Sequence, residues 1–130
     1  MSKRRNGECS IFAYRNGYAA SPLLYGDALY YLGHYQGVLT RLDAKTGADR
    51  PGQFRLPGIE DVYASPVAAA DRIYVTDRNG TTLIVSHADR PKVLAENRLD
   101  ETVSASAAIA GDELFLRGER YLYCLAERDK

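Results

Sequence analysis

The feature that most constrains this chain is a hairpin-like stretch that occurs three times. The copies read YAASPLLYGDALYYL, VYASPVAAADRIYVT and VSASAAIAGDELFLR, which places Ser21, Ser65 and Ser106 in register at intervals of 44 and 41 residues. Each copy has Ala-Ser before an apolar stretch, and an aspartate closes each turn, at Asp27, Asp71 and Asp112. Gly-Asp and Ala-Asp suit short hairpin turns because Gly and Asp tolerate positive φ. The pattern therefore predicts three copies of one structural unit.

Further short strands follow each hairpin. Third strands are predicted at 37–43, 80–86 and 120–126, and weaker outer strands at 52–58 and 91–99. Pro57 and Pro91 fit an outer edge strand, where a missing amide donor costs little. No segment has a sustained 3.6-residue apolar period, so very little helix is expected. Four short strands in each unit of about 42 residues are typical of propeller blades. The sequence predicts an all-β protein, a β-propeller of four-stranded antiparallel blades.

The strand count gives three blades per chain, in which an outer strand comes first and the last blade has only three strands. The expected order is a basic tail at 1–6 and a propeller segment at 7–130, divided into an outer strand at 7–17, blades at 18–58 and 62–99, and a three-stranded blade at 103–126. Propellers have about 4–8 blades, so three cannot close a ring. We expect a homodimer with a six-bladed ring, in which residues 8–15 of one copy complete the blade of residues 104–126 of the other. The alternative is the terminal part of a longer propeller protein, linked to an enzymatic or sensor domain.

The first unit carries a family resemblance. YAASPLLYGDALYYLGHYQGVLTRLDAKTG, residues 18–47, resembles the repeat of PQQ-like β-propellers and ends in LDAKTG, as that repeat typically does. The second unit keeps Ala-Ser-Pro at 64–66 and RIYV at 72–75, and the third keeps Ala-Ser at 105–106. The resemblance implies the propeller fold; the family includes quinone-dependent dehydrogenases, an outer-membrane assembly lipoprotein and many bacterial proteins. The chain contains no Trp, vicinal cysteine pair or quinone-calcium ligand set, so no cofactor is expected and a quinone-dependent oxidoreductase is the less favoured interpretation.

Composition excludes several other classes of function. Lys and Arg equal Asp and Glu in number, so no net field favours nucleic acid. No apolar run approaches the roughly 18 residues that a membrane helix needs, so no membrane insertion is expected. The chain as written is expected in the cytoplasm, and a longer parent protein in the periplasm.

The remaining polar residues with potential chemistry have structural interpretations. His34 and His87 lie in loops of different units and are interpreted as polar turn residues, since a zinc site needs three or four suitably spaced ligands. The repeated serine is interpreted as a small inner-strand residue whose hydroxyl satisfies local backbone. Cys9 and Cys124 would be neighbours in the closed ring, either as a disulfide or as two free thiols.

Charged and aromatic residues gather in turns that a meander places at one end of the blades. This candidate interaction face comprises Tyr18, His34, Tyr35, Gln36, Glu60, Asp61, Tyr63, Asp77, Arg78, Asn79, Asp100 and Glu101. No nucleophile, base or metal set accompanies it. The sequence therefore predicts a non-enzymatic scaffold that binds a protein or another ligand.

Overall fold

The computed structural model describes residues 3–6, 9–12, 20–33 and 37–126, with backbone alone for 3–6, 9–12 and 49–52. All regular elements in these ranges are strands, arranged as three antiparallel sheets and an N-terminal hairpin. The all-β prediction and the repeated sheets are confirmed.

The first blade is a meander in which each strand pairs with the next. Its strands, numbered after the two of the N-terminal hairpin, are β3 (Leu23–Tyr25), β4 (Ala28–Gly33), β5 (Val38–Asp43) and β6 (Asp49–Arg55). Side chains of β4 alternate between buried and half-buried, as expected for a strand packed more tightly on one face. The outer strand ends before Pro57, earlier than predicted, because Pro57 has no N–H and the Ile59 N–H bonds back to the Leu56 carbonyl in a turn through Gly58, with φ of 76°.

The second blade repeats this order, and the third has three described strands. The second contains β7 (Val67–Ala69), β8 (Arg72–Thr76), β9 (Thr81–Ser86) and β10 (Val93–Arg98), and the third contains β11 (Ala108–Ala110), β12 (Glu113–Arg117) and β13 (Leu122–Ala126). Within the described residues, β13 pairs with β12 alone, so its other edge lacks a neighbour.

The hairpin tips are two-residue turns, and their backbone angles explain the Gly-Asp pattern. Gly26 and Gly111 have φ of 60° and 59° at the first turn position. In the second blade Ala70 and Asp71 have φ of 50° and 59°. Positive φ gives the primed turns that match the twist of paired strands. Ala70 is the exception, because a side chain in this region is strained.

Side chains that alternate along a strand lie on opposite faces of a blade. One face is toward the preceding blade and the other toward the following blade. The buried cluster between the first two blades includes Tyr30, Leu39, Ile73, Val75, Leu83 and Val85. The next cluster is built on Val103, Leu114 and Leu116, with Val67 and Tyr74 packed against it. Ile73 and Tyr74 are consecutive and enter different clusters, as alternation along a strand requires.

The repeated serines connect neighbouring blades, and each lies two residues before an inner strand rather than within it as predicted. The Ser21 N–H donates to Ser65 Oγ at 2.9 Å, and the Ser65 N–H donates to Ser106 Oγ at 2.9 Å. The hydroxyl does satisfy a backbone group, but the N–H belongs to the preceding blade and not to local backbone. Each hydrogen bond therefore fixes one blade relative to the next.

The N-terminal segment differs from the expected tail and outer strand. Lys3–Asn6 forms β1 and pairs antiparallel with β2, Cys9–Phe12, where a basic tail over 1–6 was expected. Residues 3–6, KRRN, show no alternation of apolar and polar side chains, so the sequence pattern does not mark them as a strand. The strand within 7–17 is the short β2, and its observed partner is β1.

Candidate functional site

Asp77 holds the turn between β8 and β9 against the loop that connects the first two blades. Its side chain is fully buried, and Oδ2 accepts a hydrogen bond of 3.1 Å from the Glu60 N–H. Oδ1 accepts from the Asn79 N–H within the turn. A buried carboxylate is tolerated only when it is hydrogen-bonded. Asp77 is therefore a structural anchor of the candidate face rather than a free group on it.

Glu101 anchors the junction between the second and third blades. It lies in the loop that connects these blades, whereas Asp77 lies in a turn between two strands of one blade. Its buried carboxylate accepts hydrogen bonds from the N–H groups of Arg120 and Tyr121 and from the Tyr123 hydroxyl. Burial acts to raise the pKa of Glu101, but these hydrogen bonds favour the charged form and place the pKa below its usual value. The bond to Glu101 raises the pKa of Tyr123.

The anchoring carboxylate comes from a different position of the repeat at each junction, from the turn at Asp77 and from the loop at Glu101. Gly118 follows Asp77 by 41 residues, the interval between Ser65 and Ser106. A Cβ placed on Gly118 would meet the Glu101 carboxylate. The Glu101 carboxylate thus occupies the space that a side chain at Gly118 would need. In the preceding unit this turn position is Asp77, which supplies the carboxylate itself.

An aromatic and charged group lies on the turns that these anchors hold. The Arg78 guanidinium carbon is 4.4 Å from the centre of the Tyr63 ring, a cation–π distance. Arg78 Nη1 is also 3.7 Å from Asp61 Oδ2. The Arg78 N–H donates to the Asp61 carbonyl, and its carbonyl accepts from the Val103 N–H. The Arg78 backbone is therefore bound from both adjoining loops, which positions its side chain over Tyr63.

The structure brings together the eight predicted residues that it describes, in different roles. Asp77 and Glu101 are buried anchors, Asp61, Tyr63 and Arg78 form the surface group, and Glu60, Asn79 and Asp100 are exposed. Tyr18, His34, Tyr35 and Gln36 lie outside the described residues. Binding by this face stays a prediction.

A second polar cluster, which sequence reasoning missed, lies at the opposite end of the first two blades. The Tyr30 hydroxyl shares a hydrogen bond of 2.6 Å with His87 Nδ1 and accepts one of 3.1 Å from Arg41 Nε. Arg41 Nη1 is 3.0 Å from Asp89 Oδ1, and the His87 ring packs edge-on against Tyr25 at 4.8 Å. Burial raises the pKa of Tyr30 above its usual value. His87 is therefore a half-buried inter-blade residue and not a simple polar turn residue.

The contacts of His87 join residues that are far apart in the sequence. His87 and Tyr30 are 57 residues apart in sequence, so no local pattern links them. The available signal was the loop SHADRP, which replaces the family's closing LDAKTG in the second unit. The described residues contain no group of three or more His, Cys, Asp or Glu side chains able to hold a metal ion. Cys124 is an exposed free thiol.

The described ranges contain no helix long and apolar enough to cross a membrane. A scan against protein-family models matches none, and no curated protein sequence matches. Among solved structures, 65 chains match. One is the crystal structure of BamB from Moraxella catarrhalis, with a TM-score of 0.62 at 17% identity, covering 81% of this chain and 32% of that chain. The chain thus spans about a third of the BamB chain, and the likeness supports a β-propeller-like fold.

Proposed function

We propose that this protein is a non-enzymatic binding scaffold that holds a partner protein on its anchored turn face. The observation that carries the proposal is the placement of Arg78 over Tyr63 at 4.4 Å, on turns fixed by Asp77 and Glu101. Tyr and Arg are enriched where proteins bind each other, because each combines a large apolar area with hydrogen-bonding capacity.

Two polar atoms without hydrogen-bond partners indicate what a partner would supply to this group. Arg78 Nε and Asp61 Oδ1 are buried and have no hydrogen-bond partner among the described residues. A buried donor without an acceptor is costly. A partner that offers a carboxylate or carbonyl oxygen would pair with Arg78 after a small rotation of its guanidinium, and would release the loose contact to Asp61.

Affinity capture with a matched set of variants tests this function. Bait proteins would be the wild type, a Tyr63→Ala/Arg78→Ala variant, and a Glu96→Ala/Arg98→Ala control. Glu96 and Arg98 form an exposed ion pair of 2.7 Å on outer strand β10 and do not belong to the group of Asp61, Tyr63 and Arg78. We expect specific partners, identified by mass spectrometry, to be lost with the first variant and retained with the control. Recovery of the same partners by all three baits contradicts the proposal.

We further propose that two copies close a six-bladed ring. The support is that, among the residues the structure describes, no strand lies on the outer edge of β13, whereas the other two blades have four strands. A strand from a second copy, formed by the segment around residues 8–15 that contains β2, would complete this edge and remove an aggregation hazard. Sedimentation of the wild type tests it: we expect twice the chain mass of 14.4 kDa, and a monomer at all accessible concentrations contradicts it.

The second candidate is that these blades are the terminal part of a longer propeller protein. The coverage of only 32% of the BamB chain favours it. Sequencing the reading frame beyond both ends of the chain tests it, with further PQQ-like repeats as the expected result. An in-frame stop codon on each side contradicts it. The location predicted from sequence, cytoplasm for this chain or periplasm for a longer parent, stays a prediction.

A further inference from the structure

The third blade exposes a face that the other two blades bury. Leu122 pairs with Arg117 across β12 and β13, and the equivalent strand pairs in the earlier blades place Leu39 and Thr82 at this position. Leu39 is 0% exposed and Thr82 is 1% exposed, whereas Leu122 is 70% exposed. Cys124 follows the same rule, since it is exposed at the position of the buried Ile84. Together with the half-buried Phe115, these side chains form the trailing face of the chain.

The first blade exposes a side chain on its opposite face. Leu24 of β3 pairs with Leu29, so both lie on the side that faces away from the second blade. The equivalent residues of the next blades, Ala68 and Ile109, pack against the inter-blade clusters. Leu24 is 64% exposed. We call Leu24 and Leu29 the leading face.

The serine series ends in matching groups at the same two faces. Ser21 donates to Ser65 and Ser65 donates to Ser106. Within the part of the chain that the structure describes, the Ser106 N–H has no acceptor and Ser21 Oγ has no donor. The next bond in the series would join a Ser106 N–H to a Ser21 Oγ. One chain therefore carries both halves of an interface that it already forms twice internally.

We propose that the trailing face of one copy packs on the leading face of a second copy, with the Ser106 N–H donating to the second copy's Ser21 Oγ. This inference rests on the proposed ring and identifies the contact that closes it. The occupant follows from continuity with the two internal interfaces. At the first, Ala68, the equivalent of Leu24, packs against the buried cluster that contains Leu39, the equivalent of Leu122, and at the second Ile109, the equivalent of Leu24, packs against the cluster of Val103, Leu114 and Leu116. The contact is head-to-tail, so two copies form it twice when the rotation closes.

Charge substitutions on the two faces test the contact. Leu24→Glu and Leu122→Lys alter side chains that are exposed in the single chain, so the fold is expected to persist. Each substitution places an unpaired charge in both contacts of the ring. Such a charge costs at least about tenfold per contact, so the dimer dissociation constant should rise by at least about 100-fold. Leu94→Lys is the matched control, because Leu94 is 52% exposed but lies on outer strand β10.

Mixing the two variants gives a sharper readout. A heterodimer of the Leu24→Glu and Leu122→Lys chains has one wild-type contact and one contact that contains both the introduced glutamate and the introduced lysine. We expect the mixture to recover dimer in sedimentation velocity although neither variant dimerises alone. Circular dichroism and urea midpoints check that each variant is folded.

The outcomes separate this contact from the proposed ring. A wild-type dimer that both variants leave intact overturns the contact and the closed ring, but leaves a two-copy assembly and the binding role of the turn face. A wild-type monomer at all concentrations overturns both. A larger open assembly that both variants dissolve supports the contact and overturns the two-copy ring.

Discussion

Replacing Asp77 with alanine tests whether the candidate face depends on a buried anchor. The substitution removes a fully buried carboxylate that accepts hydrogen bonds from the N–H groups of Glu60 and Asn79. Hydrogen bonds to a charged acceptor contribute about 1.5–3 kcal/mol each, and two at one site do not add fully. Glu60 and Asn79 are exposed residues, so water can reach part of the vacated space. We expect a loss of about 2–3 kcal/mol in the free energy of unfolding.

Urea unfolding followed by circular dichroism measures this loss, and calorimetry provides a second value. For a chain of this size, 1 kcal/mol corresponds to a shift of about 3–5 °C in Tm, so a decrease of about 6–15 °C is expected. Asp100→Ala is the control, since Asp100 is an exposed acid in the neighbouring loop, and it should change stability by less than about 0.5 kcal/mol. If Asp77→Ala is no more destabilising than Asp100→Ala, the anchor role of the carboxylate is refuted.

Three other predictions follow from the blade junctions and turns. Ala70→Gly should stabilise the fold by about 0.5–1 kcal/mol in urea unfolding, because it relieves a positive φ that the equivalent Gly26 adopts freely, whereas Gly26→Ala should destabilise it. The folded-state pKa of Glu101 lies below the usual 4.5, so the carboxylate stabilises the fold above pH 4.5 and this contribution is lost as the pH falls through the lower value. Glu101→Gln should therefore flatten the acid limb of a stability–pH curve, and an unchanged limb contradicts this. Tyr30→Phe should cost about 1–3 kcal/mol by removing the bond to His87, and equal urea midpoints for the two proteins would exclude that role.

The blade units were accessible from the sequence because their determinants are local. Gly26 and Asp71 mark turns through positive φ, and alternating side chains mark strands, so both signals lie within a few residues. The pairing of β1 with β2 is not predictable in the same way, because residues 3–6, KRRN, show no alternation of apolar and polar side chains.

The candidate face was predicted in composition but not in chemistry. Asp77 and Glu101 have the same sequence character as the exposed Asp100, yet tertiary structure buries them as anchors. Whether a carboxylate is an anchor or a solvated group depends on the N–H groups that another loop presents, and that loop is about 20 residues away in sequence. Only the folded chain decides this.

The sequence by itself determined the repeat, the strand order within each blade and the hairpin tips at Asp27, Asp71 and Asp112, since these depend on neighbours in the chain. The tertiary structure decided which face each side chain buries, which serine hydroxyl meets which N–H, and that His87 reaches the Tyr30 hydroxyl 57 residues away. The physical reason is the range of the interactions. Turn and strand preferences act between adjacent residues, whereas hydrogen bonds and packing between blades depend on how three similar units stack.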